Sequence, residues 1–416
     1  MKITSALLLA VKPVSRRLRH FFAARDRPGR WALLAALALP CFSGEGQTTN
    51  MFIRMAGTYT GLFSSASLGA ATAETAGMIA NLTLNSRGNY SGVVLLGGSG
   101  FSITGFFTPS GYATNVVTNA LDGHVTVELQ VNANSQPRTI TGSVSGTNTI
   151  VVGGNSQRGW NSEVALIASL TNTSNFARAY TMLIPPVAAS NGTNSPSGYG
   201  YALLTNTVGT PAVPAAVTFT GLLADWASLV YVARIREDNA IPIYLNYYNT
   251  PQPGLLFGLL NLASNAPFLP SGNLTWIRKA ASLGLFTNGF TNIYPVVPIA
   301  PWSNSVPLGD IITTNQLILS GGALTAPLTY SVRTNGTNLV LTESGGSTNH
   351  ASGSVNTNTG QLTITFTNDS KATVTGKGAI LQNTNVSPVL AGGFFIVGPQ
   401  ATPTNSGSIS LQWPPP

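Results

Sequence analysis

The sequence predicts an all-β protein made of two tandem antiparallel units of short strands, each barrel-like or a sandwich. Three observations carry that expectation. Residues 81–107, NLTLNSRGNYSGVVLLGGSGFSITGFF, alternate apolar and polar side chains with the period of two of half-buried strands, broken by the turns Ser86-Arg87-Gly88-Asn89 and Gly97-Gly98-Ser99-Gly100. Charged residues are only 8% of the chain, against about 25% in ordinary domains, and no run of Glu, Lys, Ala and Leu repeats at helical spacing. A third signal is a recurring apolar-Thr/Ser-Gly step: Tyr59-Thr60-Gly61, Tyr90-Ser91-Gly92, Ile103-Thr104-Gly105, Ile140-Thr141-Gly142, Phe219-Thr220-Gly221 and Val374-Thr375-Gly376. Glycine inside a strand weakens it unless a bend, a bulge or a close backbone approach requires it, so the repetition predicts strongly curved sheets.

The chain opens with a basic segment followed by a short apolar run, WALLAALALPCF over 31–42, and the small residues Ser43, Gly44 and Gly46. That order predicts a secretory signal over 1–46, its apolar run over 31–42 too short to span a membrane. A buried first helix is the alternative, and Cys41 raises lipidation, though Pro40 directly before it fits lipid attachment poorly. Eight of the 20 basic residues and two of the 12 acidic ones lie in the first 50, so the formal charge of +8 falls to 12 against 10 beyond them. A body so nearly neutral, with no basic patch, is not expected to bind nucleic acid. Cys41 is the chain's one cysteine, so the mature chain has no disulfide, thiolate nucleophile or cysteine-bound metal.

The first unit is expected over 47–187. After a strand at GTYTGLF and a small-residue loop comes the three-stranded meander, then strands at 123–131, 138–144, 149–152, 164–170 and 178–184, ended by Pro185-Pro186. Residues 188–198 have a linker's composition. The second unit, 199–413, is expected to carry strands at 198–205, 217–223, 229–235, 241–248, 255–262 and 273–277. A long ordered loop follows over 281–309, with Pro295, Pro298, Pro301 and Pro307. Strands resume at 316–319, 329–333, 338–343, 361–367, 372–382, 393–397 and 408–412, and Pro414-Pro415-Pro416 forms a proline tail.

GTYTGLF (57–63), GNYSGVVLLGGSGFSITGFF (88–107), GNLTWIRKA (272–280), GKGAILQ (376–382), GGFFIVG (392–398) and SGSISL (406–411) together resemble an uncharacterised group of secreted glycine-rich β-repeat proteins of the Verrucomicrobia type. The resemblance implies the all-β fold and export, and no activity. In that group a tryptophan often precedes a Pro-x-Tyr step; here Ile241 stands before Pro242-Ile243-Tyr244.

Chemistry has few carriers. Beyond the leader the histidines are His124, after the turn Asp122-Gly123, and His350 in GGSTNHASG, both expected in turns and neither in a zinc-type spacing. No GxSxG elbow, calcium loop or phosphate loop is present. Of ten carboxylates beyond the leader, Glu128 and Glu163 stand among apolar residues and are the candidates for an acid pair; the plainer expectation is that both face solvent. No catalytic residue, metal or cofactor is therefore predicted. The remaining candidate is an exposed aromatic platform for sugars, Tyr244, Asn246 and Tyr248 on one strand face with Trp226, Trp276 and Trp302 in the same unit; the alternative is that these rings fill the core. The expectation is a non-enzymatic exported protein, structural, adhesive or at the cell surface. A carbohydrate-binding module, with a polysaccharide or other cell-surface component as partner, comes second, and an outer-membrane barrel last.

Overall fold

The computed structural model describes residues 51–65, 71–119, 123–152, 155–187, 192, 194–210, 213–247, 254–262, 271–281, 285–313, 315–343, 350–382, 389–398 and 405–412. The expected leader, Cys41, Tyr248 and the proline tail lie outside them. The fold is all-β with two eight-stranded antiparallel barrel-like units, as the alternation and turns predict, and a two-sheet body lies between them in sequence.

The first barrel comprises β1 (Gly57–Phe63), β2 (Gly77–Leu84), β3 (Asn89–Leu96), β4 (Ser99–Phe106), β5 (Tyr112–Asn119), β6 (Gly123–Asn132), β7 (Thr139–Val152) and β8 (Asn155–Ala168). The strands run in the order β4-β3-β2-β1-β8-β7-β6-β5, so first and last strands pair while β4 and β5 share no ladder. That seam is bridged by a side chain: the Asn115 amide donates to the Tyr90 hydroxyl and to the Thr104 carbonyl, the latter at 3.3 Å. Period-two alternation drives the closure. In β6, Val125, Val127, Leu129 and Val131 are buried while Glu128 and Gln130 face out. A helical turn at 51–55 adds Phe52 and Met55 to the core, and the buried Tyr59 hydroxyl donates to the Met55 carbonyl.

In three of its six copies the recurring Thr/Ser-Gly step has a common cause. A Cβ at Gly61, Gly142 or Gly221 would come 2.3, 2.0 or 2.0 Å from the carbonyl oxygen of Ala165, Glu128 or Tyr201, and the β1–β2 register shifts between Tyr59 and Gly61. Only a residue without a side chain lets the neighbouring strand bend that close.

Between the barrels stands a sandwich. One sheet has the order β12-β11-β10-β9-β17, from β9 (Ala179–Ile184), β10 (Gly200–Thr207), β11 (Ala216–Leu222), β12 (Ser228–Arg234) and β17 (Ile299–Pro301). The other runs β13-β14-β15-β16, from β13 (Ala240–Asn246), β14 (Leu255–Asn261), β15 (Ser271–Arg278) and β16 (Phe290–Tyr294). Met182, Phe219, Ile243, Leu260 and Trp276 share the core between them.

The second barrel closes fully through β18 (Asn315–Gly321), β19 (Leu328–Asn335), β20 (Asn338–Glu343), β21 (Ala351–Asn356), β22 (Gln361–Thr367), β23 (Thr373–Ile380), β24 (Val389–Val397) and β25 (Asn405–Gln412). A one-turn helix, Leu308–Ile311, precedes it and sends Leu308 and Ile311 into its core, as the turn at 51–55 does in the first. In both barrels the interior is apolar. On the first barrel the outer face carries Glu128, Gln130 and Glu163, and a membrane-spanning barrel has the opposite arrangement.

Several boundaries differ from the sequence expectation. The first barrel ends at Ala168, because β9 pairs with β10 and β17 rather than with β8, so 178–184 belongs to the sandwich. The region 199–413 holds two bodies, sandwich and barrel, not one unit. The loop expected over 281–309 contains β16 and β17, whose apolar residues Tyr294 and Ile299 are buried; Pro301 is tolerated because β17 is a sheet edge. In the expected linker, Ser197 donates from its hydroxyl to the Ser406 carbonyl at 2.9 Å, which packs the described residues against β25. The strands β5 and β21 were not expected either, since YATNVVTN and ASGSVN are too polar to announce a buried face.

The bodies are joined by different chemistry on the two sides. Between first barrel and sandwich the Arg138 guanidinium meets Glu237 at 2.7 Å and donates to the Ala56 carbonyl at 2.7 Å, while the Arg138 backbone N–H donates to the other Glu237 oxygen at 2.8 Å. Lys279 pairs with Glu74 and Arg234 donates to Asn81 at the same joint. Between sandwich and second barrel the contact is apolar: Leu183, Tyr201, Ala224 and Ala300 pack on Ala379, Leu381, Val389 and Phe394.

Two outcomes follow. Arg138→Ala removes a pair whose side chains are only 26% and 20% exposed, leaving Glu237 half-buried without its cation; it should lower unfolding free energy by about 2 kcal/mol in denaturant titration, whereas Arg54→Ala on an exposed side chain should change it by under about 0.5 kcal/mol. Burial pushes the Tyr59 and Tyr231 phenols up to about 12, with the charge of Arg138 partly offsetting it at Tyr59 and a backbone hydrogen bond at Tyr231. A raised phenol favours the fold fully below its unfolded value near 10 and ceases to do so as pH rises through 12, so melting temperature should fall across that window, and less steeply in Tyr59→Phe.

Candidate functional site

The aromatic residues singled out by the sequence do not assemble into one surface. Tyr244 and Trp276 lie on opposite faces of the β13–β16 sheet. Tyr244, 5% exposed, packs with Met78 and Ala80 of the first barrel, while Trp276, 1% exposed, fills the sandwich core edge-on to Phe290. Asn246 shares the face of Tyr244 at the end of β13 and is half-buried. Trp226 sits in the β11–β12 turn with φ +74°, its ring edge-on to Phe394 of the second barrel at 5.4 Å. Trp302 is buried in the second barrel's core and donates from its indole nitrogen to the Thr357 carbonyl at 2.9 Å. The reason is area: a large ring on a two-faced sheet removes most apolar surface from water when another body covers it. Tyr248 lies outside the described residues.

The histidines stand apart. His124 is exposed beside the Thr118 hydroxyl at 3.3 Å, and His350 is exposed just ahead of β21. Among the described residues no group of three or more His, Cys, Asp or Glu is placed to hold a metal ion. Glu128 and Glu163 both face solvent and lie in one cross-strand row, Thr114–Glu128–Ser143–Glu163, with Ser143 between the two carboxylates.

That row borders a concave place on the outer face of the first barrel. Period-two alternation turns Tyr112 of β5, Glu128 and Gln130 of β6 and Ser143 of β7 outward, and the ladder registers Tyr112 opposite Gln130 and Glu128 opposite Ser143. They line a groove of about 250 Å³ whose remaining walls are Leu129 and Gly142. Leu129 has its side chain in the barrel core, so it offers the groove its backbone. The Tyr112 hydroxyl donates to one Glu128 oxygen at 3.0 Å and the Ser143 hydroxyl to the other at 3.2 Å. The first of these bonds holds the Tyr112 phenol above its ordinary value, since ionising it would break the bond and set two anions together. The Gln130 amide nitrogen is fixed by the Ser110 and Val131 carbonyls at 2.9 and 3.2 Å, which leaves its oxygen as an acceptor. Sequence reasoning missed Tyr112, Gln130 and Ser143. The alternation in VELQV announces that Glu128 and Gln130 share a face, but which residues of β5 and β7 stand beside them depends on register.

Because Tyr244 is a joint residue, Tyr244→Ala should lower stability by about 2–4 kcal/mol in denaturant titration; a ring exposed as a platform would change it by under about 1 kcal/mol.

No family model and no curated protein matches the chain. Among solved structures, a transferrin binding protein B variant from Haemophilus parasuis Hp5 is similar over 86% of this chain and 76% of that one, at 10% identity and a TM-score of 0.21, a likeness too slight to say anything of this chain's fold or role.

Proposed function

We propose that this chain is an exported, non-enzymatic β protein of the cell surface or its surroundings, structural or adhesive in role. The observation that carries the reading is that both barrel interiors are filled by the protein's own side chains, from Tyr59, Val127 and Leu166 in the first to Tyr330, Leu362 and Phe395 in the second. A partner of such a molecule meets outer faces and loops rather than an enclosed cavity. The scarce charges point the same way. Glu237, Glu74 and Asp225 each hold a basic residue, Arg138, Lys279 and Arg278, and so act as joints within and between bodies. The basic-then-apolar opening over 1–46 supports export, and the resemblance to secreted glycine-rich β-repeat proteins agrees with it. Among the described residues no helix is long and apolar enough to cross a membrane.

Carbohydrate binding is the second reading, favoured by the Tyr112–Glu128 groove rather than by the buried rings of the sandwich.

The test is fractionation of the native cell with sequencing of the recovered protein's N-terminus. Recovery in the medium or periplasm, or from the surface by salt, with a new N-terminus near Gly44 or Gln47, is the expected result; a blocked N-terminus at Cys41 would make the anchor a lipid. Recovery in the cytoplasm with Met1 intact, or a substrate turnover abolished by Glu128→Gln or Glu163→Gln, would overturn the proposal.

A further inference from the structure

We infer that the groove of Tyr112, Glu128, Gln130 and Ser143 on the outer face of the first barrel binds a neutral saccharide, with the Glu128 carboxylate accepting hydrogen bonds from two neighbouring sugar hydroxyls and the Tyr112 ring covering a C–H face of the sugar. This rests on the second reading above and deepens it: it gives the saccharide named contacts and a place.

The carboxylate is the starting point. An ionised carboxylate offers about four acceptor positions, and here two are taken, one on each oxygen, by uncharged hydroxyls from different strands. No basic side chain among the described residues lies within ion-pair distance of Glu128, in contrast to Glu237, Glu74, Asp225 and Asp238, which are all paired. Tyr112 and Ser143 therefore fix the orientation of Glu128 without neutralising it. The remaining acceptor positions suit two adjacent O–H donors, the pattern that a sugar's vicinal hydroxyls present.

The other walls fit the same ligand. Tyr112 is 39% exposed, enough to offer ring surface while its hydroxyl stays anchored, and an aromatic ring with one wet end is suited to the apolar face of a sugar. Gln130 adds an amide oxygen whose place is set by its bonds to Ser110 and Val131. The volume of about 250 Å³ is below the roughly 300–1,000 Å³ of sites for drug-sized molecules, so one ring fits and a longer glycan would continue across the strands, past Ser143 toward Glu163. An anion is repelled by the unneutralised Glu128, and a bare divalent cation lacks the charged oxygen ligands it needs, since no second acidic group lines the groove.

The experiment is saturation-transfer NMR on the full-length protein with the methyl glycosides of glucose, galactose, mannose and N-acetylglucosamine as probes, each at concentrations up to several times the ~1 mM dissociation constants expected of single rings. Transfer to ring protons of at least one probe is expected. Glu128→Gln and Tyr112→Ala should each weaken it about tenfold or more, the effect of one to two lost charge-assisted bonds or of the lost ring face, while Arg87→Ala, in an exposed turn of the same barrel, leaves it unchanged. Melting temperatures within a few degrees of the parent establish that the substitutions act on binding; should Tyr112→Ala unfold the barrel, the nearly isosteric Glu128→Gln decides alone. No transfer with any probe, transfer unaffected by Glu128→Gln, or transfer seen only after calcium is added would each overturn the assignment. None of these results bears on where the cell places the protein, so the groove and the surface role fail separately.

Discussion

Everything in this molecule depends on sheets closing. A β-sheet has two faces and two edges, and a chain with few helices, no cysteine beyond Cys41 and few charges has no other means of covering them. Eight strands suffice to roll one face into a filled interior: in the second barrel, where Leu317 meets Leu411, the ladder closes without an edge, while in the first, where Tyr59 meets Ala168, it leaves β4 and β5 as edges bridged by the Asn115 side chain. The bend must be localised somewhere. It is placed where Gly61 and Gly142 let a neighbouring carbonyl come within 2.3 Å of where a Cβ would stand, so in β1 and β7 the Thr-Gly step is a trace of closure in the sequence, while at Gly221 the same close approach bends an open sheet. In both barrels the weakest join lies mid-meander rather than at the first-to-last closure, which is in register at three positions in the first and six in the second. In the first, β4 and β5 share no ladder; in the second, β20 and β21 are in register at only two positions.

Once each barrel is filled, the sandwich between them in sequence has both outer faces available for docking, and its joints differ. The side toward the first barrel combines an apolar patch around Tyr244 and Met78 with the Arg138–Glu237 clamp, in which one carboxylate receives both the guanidinium and a backbone N–H. The side toward the second barrel is a face of Leu183, Tyr201 and Ala300 on Ala379 and Phe394, with Gln361 donating to the Tyr201 hydroxyl at 2.8 Å. Small residues let that face approach: a Cβ at Gly392 would meet the Tyr199 ring at 2.6 Å. In a protein so poor in charge, ion pairs that cross a joint supply direction, while the apolar area supplies most of the free energy. Gly392 of GGFFIVG thus serves the docking surface, while Gly378 and Gly393 let β23 and β24 approach within the barrel.

The relation between aromatic rings and function reverses the simplest expectation. Trp276, Tyr244, Trp226 and Trp302 are the most conspicuous side chains of the second half of the sequence, and each is claimed by a core or a joint. The ring left accessible with a polar partner is Tyr112, which opens the inconspicuous strand YATNVVTN. The more apolar area a ring can bury, the stronger the pull to bury it, and Tyr112 is kept accessible by polar outward neighbours: Glu128, itself held by the Ser143 hydroxyl, keeps the Tyr112 hydroxyl at the surface.

The sequence by itself determined the fold class, because strand alternation in GHVTVELQV and turns such as Ser86-Arg87-Gly88-Asn89 are local signals that each act within a few residues. It also determined that carboxylates and histidines are too sparse for the familiar metal and nucleophile motifs, and that Glu128 shares an outward face with Gln130. Tertiary structure alone decided that 178–184 leaves the first barrel to pair with β10 and β17, that the Pro-rich stretch over 281–309 contributes two strands, and that the region after 199 is a sandwich followed by a barrel. It alone decided, too, that Tyr112, Glu128 and Ser143 meet. The reason is common to all of these: pairing and register join residues far apart in the chain, as Ala179 does with Thr205 and Ser143 with Glu163, and a strand's own side chains state which faces are apolar without stating which strand will lie beside them.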